Sequence, residues 1–438
     1  MGYWKDVIER LGGGNPAEYE DHYVCAECFG DHSLKDFIEG ESQAKTCTFC
    51  GVESDEPIAA PIVEVLLYIN ECLEREYDVA ENKLPYESAE GGYIGETWTT
   101  EELLGSYLEL PNDDDGTLME ALCDGLGDRA WCRKYPFSLT DDERLNFSWD
   151  EFCNLVKYRR RFFFLSEKRK DDELFSPFAL LKELTTWCER FELIKPLPVE
   201  SAVFRARCQK PGETLTTPAD LGPPQHAKMS NRMSPPGIVM FYVSDNPETA
   251  LRETAQYPCI IAIGGFITKR EAMILDLADI PPIPSIFEII SDSLEYDPRP
   301  LSIFLNYFST ELSKPIARDD RVHVEYIPTQ IITEYFRTEF TYNGKTLDGI
   351  RYRSARHESH CSLVLFATRA DLIGVENHTI GSNTACDPWI KLCNREEQSV
   401  TQELLAQWDR EAPQPVESRR WNSSLPPWVL ERGRHERL

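Results

Sequence analysis

Apolar positions change their spacing once along this chain. Between about residues 60 and 195 they recur every three or four residues, the mark of helices that bury one face. Helix starts of the Ser/Thr-x-x-Glu kind stand at Thr99 with Glu102, Thr140 with Glu143 and Ser148 with Glu151. The last opens "SWDEFCNLVKYRRRFFFL", whose Trp149, Phe152, Val156 and Phe163 fall at helical spacing and predict a core helix. Beyond residue 195 the runs shorten. "AVFRARC", "GIVMFYV", "CIIAIGGFI", "AMILDL", "VHVEYI", "GIRYRS" and "SLVLFAT" are rich in β-branched and aromatic residues and predict strands. After "GIVMFYV", Asp245 and Glu248 around Pro247 predict a helix start.

The pattern predicts an α+β protein with a helical first half and a mixed α/β second half. The expected divisions are a cysteine-rich lobe at 1–60, a helical domain at 61–195, a mixed domain at 196–375 and a C-terminal extension or tail at 376–438. "SEKRKDDELFSPF" reads as an exposed connection, and "APQPVESRRWNSSLPPWVLERGRHERL" as an extended tail.

Composition narrows the classes. With 438 residues, 41% of them hydrophobic, the chain can build two or three cored domains. Its most apolar stretch, "YPCIIAIGGFI", is too short to span a bilayer, and the acidic start lacks a signal-peptide pattern, so a cytoplasmic protein without a membrane partner is expected. A formal net charge of −29 repels phosphate backbones, which argues against nonspecific nucleic-acid binding. An anionic ligand would need a local arginine cluster.

Fourteen cysteines are dilute in so long a chain and are expected to be reduced thiols. Four are grouped: Cys25-x2-Cys28 and Cys47-x2-Cys50, the spacing of two knuckles that close one tetrahedral zinc site. The loop between them is mainly acidic, so a structural staple is the expected role. "YNGKTLDG" lacks the leading glycine of a phosphate-binding loop, since Glu339 stands in its place, and Asn343-Gly344 reads as a hairpin turn. "RHESHCS", with His357, His360 and Cys361, reads as the approach to a strand rather than a catalytic thiol site.

"SNRMSPPGIVMFYVSDNPETALRET" runs from loop to strand to helix and spaces Arg232, Tyr242 and Glu253 so that they could face one place. Glu253 lies three residues after Ala250, on or beside the inward helix face. A carboxylate there needs a partner, and Arg205, Arg207 and Arg232 are the candidates. Periodicity alone leaves a buried ion pair and a functional site level.

"FRAR" (204 to 207), "NRMSPPGIVMFYVSDNPETALRE", "LSKPI", "EYIPTQIITEYFR" and "GIRYRSARHESHCSLVLF" together resemble the RES domain, in order and in spacing, over about residues 196 to 370. The zinc-ribbon and helical part resembles the N-terminal region associated with RES and HEPN proteins. The resemblance implies a fold like that of ADP-ribosyltransferase toxins. It also implies an NAD+-consuming enzyme: an NAD+ phosphorylase or glycohydrolase, or an ADP-ribosyltransferase acting on a protein, serving as a toxin or defence effector. By position it places the family arginine at Arg205, the glutamate at Glu253 and the serine at Ser354, with Ser359 and Ser362 as alternatives. Arg232 and Tyr242 match further NAD-binding positions. It implies inorganic phosphate or a protein as acceptor, and an inhibitory antitoxin as partner; a homodimer is compatible with it. Asn231-Arg232-Met233-Ser234 departs from the family's usual Gly-Arg-aromatic-Asn. A non-enzymatic, zinc-stabilised interaction module is the competing class.

Overall fold

The computed structural model describes residues 2–89, 91–112, 116–165, 174–288, 297–314, 321–375 and 387–413. Most of the connection after Leu165, part of "LSKPI" and nearly all of the tail after Ala412 lie outside them. The chain forms two compact units, Met1–Asp141 with Ile283–Pro300, and Asp142–Pro282 with Leu301–Leu438. Among the described residues no helix is long and apolar enough to cross a membrane.

The first unit is helical with short two-stranded ribbons. Its helix Ile62–Glu76 buries Ile62, Val63, Val65, Leu66, Ile69, Cys72 and Leu73, more than one stripe, so it forms the centre of the core. Thr99 and Glu102 make the capping box that their spacing predicts: Thr99 N–H donates to Glu102 at 2.8 Å, and Glu102 N–H to Thr99 Oγ1 at 3.1 Å. Ile286 and Phe287 belong to this same core although the sequence places them far downstream. Tyr68 donates its hydroxyl to the Phe287 carbonyl, and Arg75 donates to the Glu288 carbonyl at 2.8 Å.

The second unit is built on an eight-stranded sheet. Its strands are β1 (Ile194–Leu197), β2 (Ala202–Cys208), β3 (Phe241–Ser244), β4 (Cys259–Thr268), β5 (Ala272–Asp276), β6 (Gly349–Arg353), β7 (Cys361–Leu365) and β8 (Ile390–Val400). The order across the sheet is β8-β4-β2-β3-β7-β6-β5-β1, antiparallel except for β5 with β6. β2 and β3 pair at one position only, Phe204 against Ser244, so the sheet parts in its middle. One face packs Val203, Phe241, Val243, Phe266 and Leu363. The other packs Ala206, Ile261 and Ile263 against Ala250 and Leu251 of helix α1 (Pro247–Thr254) and Trp408 of helix α3 (Gln402–Glu411). Truncating a residue such as the fully buried Phe241 to alanine costs about 3–5 kcal/mol.

Three local expectations are corrected. "VHVEYI" is helical: Val322–Glu325 is one short helix, and α2 (Ile327–Thr338) follows, with Pro328 in its first turn and Ile327, Ile332 and Phe336 buried. The β-branched run mimics a strand, but apolar positions one helical turn apart decide the packing. Ser148 does not start a helix. It lies inside Asp141–Asn154, buried, and its Oγ accepts from the Phe175 N–H at 2.9 Å. Phe163 is 82% exposed, beyond the end of that helical run, whereas Trp149, Phe152 and Val156 are buried as expected. The turn at Asn343-Gly344 holds: both residues have positive φ, and Tyr342 and Lys345 exchange backbone hydrogen bonds.

Candidate functional site

The residues singled out in the second unit sit where the sheet parts. Asn246 caps α1, its side chain accepting from the Glu248 N–H at 2.8 Å, and this fixes the helix that carries Glu253. β6 ends at Arg353, and the chain turns at once, with Ser354 N–H donating to the His360 carbonyl at 2.9 Å. Ser354 is buried, and its hydroxyl donates to Glu253 Oε1 at 2.6 Å. The Arg356 and His357 N–H groups both donate to Ser354 Oγ, each at 3.2 Å. A hydroxyl has one proton and two lone pairs, and all three are engaged within the protein. Ser354 therefore aims its only proton at the carboxylate.

Tyr242 lies on β3, and its hydroxyl bonds Ser234 Oγ at 2.9 Å. Burial pushes this phenol up to about 12, while Ser234, Arg205 and Arg232 pull the other way. The loop residues that depart from the family pattern thus have definite places: Met233 is buried, and Ser234 holds the Tyr242 hydroxyl. Arg232 donates from Nη1 to the Leu312 carbonyl at 2.6 Å, and its own carbonyl accepts from Thr329 Oγ1. Its guanidinium lies 5.8 Å from the Tyr326 ring centre.

Sequence reasoning missed Tyr352. Burial raises its phenol well above the ordinary range, the Glu253 charge adds to this, and Arg232 opposes it. Tyr352 therefore shares the neighbourhood of Glu253, Arg232 and Tyr242. Alternation along β6 puts it two residues before Ser354 and opposite Ser362 of β7, which was the available signal. Ser362 is buried 3.4 Å from Ser244 Oγ, within the sheet.

Arg205 differs from the other four. By alternation it shares the β2 face of Val203, and its guanidinium lies 5.5 Å from the Phe241 ring centre. Its Nη1 is sealed from solvent and has no hydrogen-bond partner among the described residues. Burial and the Arg207 charge push its pKa down to about 9, while Tyr242 raises it, so it stays protonated at neutral pH. Arg207 and Arg232 donate to the Asp220 and Leu312 carbonyls. What the structure brings to Glu253 is the Ser354 hydroxyl. On the α1 side of the sheet, a fixed carboxylate, the Arg232 guanidinium and two phenols are suited to an anionic ligand that develops positive charge at one carbon.

In the first unit Cys25, Cys28, Cys47 and Cys50 bring their sulfurs within 4.8 Å of one another. Neighbouring sulfurs lie at 3.7 Å (Cys25 to Cys28), 3.5 Å (Cys25 to Cys50) and 3.7 Å (Cys28 to Cys47). A tetrahedral ion with metal–sulfur bonds of about 2.3 Å needs edges of about 3.8 Å, so the four thiols fit one metal. The hydrogen bond between the Cys28 and Cys47 sulfurs pushes Cys47 down and Cys28 up. The Cys25 N–H, 3.4 Å from Cys47 Sγ, also favours a thiolate there.

Residues 40–170 match the model of HEPN/RES N-terminal domain 1, and residues 202–389 match the model of the RES domain. Searches of curated proteins and of solved structures give no match. RES domains are a toxin family of NAD-related enzymes. With Arg205, Arg232, Tyr242, Glu253, Tyr352 and Ser354 all inside the second match and the four-cysteine cluster ahead of it, the chain is a RES domain protein that carries an N-terminal HEPN/RES domain.

Proposed function

We propose that this protein cleaves the nicotinamide–ribose bond of NAD+, as a phosphorylase or glycohydrolase, and acts as a toxin or defence effector. The observation that carries the reading is the carboxylate of Glu253, fixed by a fully engaged Ser354 within the RES-matched segment. Departure of nicotinamide leaves oxocarbenium character on the ribose, and a carboxylate at hydrogen-bond range stabilises that charge and orients the ribose hydroxyls. Glu253 has this role. Arg232 binds the pyrophosphate, giving the forked contacts that lysine does not reproduce, and Arg205 adds buried positive charge from the other face of the parted sheet. Tyr242 and Tyr352 pack on the nicotinamide ribose. The engaged valences of Ser354 favour a positioning role over direct contact with a ribose or phosphate oxygen.

The acceptor is water or inorganic phosphate. Transfer of ADP-ribose to a protein uses the same charges and is the alternative outcome, and an inhibitory antitoxin is the partner such an activity calls for. The four cysteines hold zinc, which neutralises thiolate charge and ties together the two loops that carry them. We place the protein in the cytoplasm, where its thiols stay reduced.

Incubating the full-length protein with NAD+ in the presence and absence of phosphate, with products read by mass spectrometry, is the test. Nicotinamide release that is lost in Glu253→Ala supports the reading. Intact NAD+ in every arm would overturn it and favour a zinc-stabilised binding module.

A further inference from the structure

A second close thiol pair lies outside the cysteine cluster. Cys208 ends β2 and Cys259 begins β4, strands that are antiparallel neighbours. Cys208 pairs with Ile261, and Gln209 N–H continues the ladder to the Ile260 carbonyl at 2.9 Å. Cys259 is therefore the diagonal neighbour of Cys208 on the same face of the sheet. Their sulfurs are 3.1 Å apart. Both side chains are half-buried at the rim of the core formed by Ala206, Ile261, Ile263 and α1, so a small reagent can reach them.

We propose that Cys208 and Cys259 form an oxidisable dithiol that closes into an intrachain disulfide. Bond formation brings the sulfurs to about 2.05 Å, which asks for about 1 Å of movement between side chains already on one face. With oxidised glutathione as oxidant, one protein thiolate attacks a sulfur of the reagent and expels one glutathione thiolate. The second protein thiolate then attacks the mixed disulfide and expels the other. Two protein thiols lose their protons and two electrons, and one glutathione disulfide becomes two thiols. The bond closes a loop from 208 to 259 that contains Arg232, Tyr242 and Glu253, and it ties the strand of Arg205 to the exit of α1. Oxidation thus staples β2 to β4, on the side of β2 away from the parting of the sheet. Burial raises the Cys208 thiol to about 12, which slows the reaction without blocking it.

The test uses the full-length, metal-loaded protein treated with oxidised glutathione or with dithiothreitol, then alkylated, digested and mapped by mass spectrometry. The proposal expects a Cys208–Cys259 linked peptide, two hydrogens lighter, that appears only after oxidation and vanishes with reductant. It also expects a reversible rise in thermal midpoint on oxidation, absent in Cys208→Ser and Cys259→Ser. Alkylation of both cysteines after oxidation, or their appearance in other disulfides, would overturn it. The peptide map of the wild type decides even where a serine variant fails to fold.

Discussion

Ser354 gives its hydroxyl proton to Glu253 at 2.6 Å while two backbone N–H groups occupy its lone pairs. A serine so engaged orients the carboxylate and has nothing left for substrate. Ser354→Ala is expected to lower kcat for nicotinamide release about 10- to 100-fold with KM within about twofold, the mark of an interaction realised in the transition state. Ser354→Thr keeps the hydroxyl and should recover part of the loss. A rise in KM with unchanged kcat would instead make Ser354 a substrate contact.

Arg205 separates stability from activity. Its inner Nη1 is buried with no partner among the described residues, a cost to folding. Arg205→Met should leave the protein equally stable or more stable, by up to about 1 kcal/mol in a denaturant titration, and raise KM for NAD+ at least tenfold. A clear loss of stability would mark Arg205 as a structural residue.

His357 gives the second unit a pH dependence. Its Nδ1 lies 2.7 Å from Thr249 Oγ1, its ring stacks on His360 at 4.2 Å, and burial first, then Arg252 and His360, hold its pKa below 6.5. Glu248 and Asp245 act in the opposite sense. The fold favours the neutral ring, so the stability it adds is fully present above pH 6.5 and is lost as pH falls below 6.5 through the folded value. Thermal midpoints measured from pH 8 down to pH 5 should decline below 6.5, and less steeply in His357→Gln. Identical slopes would remove the assignment.

Metal removal tests the four-cysteine cluster. A chelator with a mercurial reagent should release about one equivalent of zinc and destabilise the first unit, because a structural site is folding free energy. Cys47→Ser should purify with less metal and a lower midpoint. Metal content unchanged by Cys25→Ser and Cys47→Ser together would count against the site.

Local chemistry was legible in the sequence wherever a short stretch decides its own geometry. The Thr99 and Glu102 box, the Asn343-Gly344 turn, the cysteine spacing and the strand composition of "AVFRARC" each commit neighbouring residues to one arrangement. The misreadings lie where packing overrides pattern. "VHVEYI" has the composition of a strand yet forms a helix, and Phe163 continues a periodicity past the point where its helix stops. A hydrogen bond to Glu253 lay equally beyond local rules. A serine 101 positions downstream, which no local rule connects to α1, supplies the bond.

Ile286 and Phe287 carry one more consequence. They lie inside the stretch matched by the RES domain, yet their side chains are buried among residues from the start of the chain. An expression clone beginning at residue 196 would keep these two apolar side chains and discard the core residues between 7 and 131 that they pack among, and so would gain a sticky surface. Activity or aggregation measured on such a fragment would report that exposed pair as much as the loss of a domain. Shortening the insert at 283–300 is therefore the first step in isolating either part.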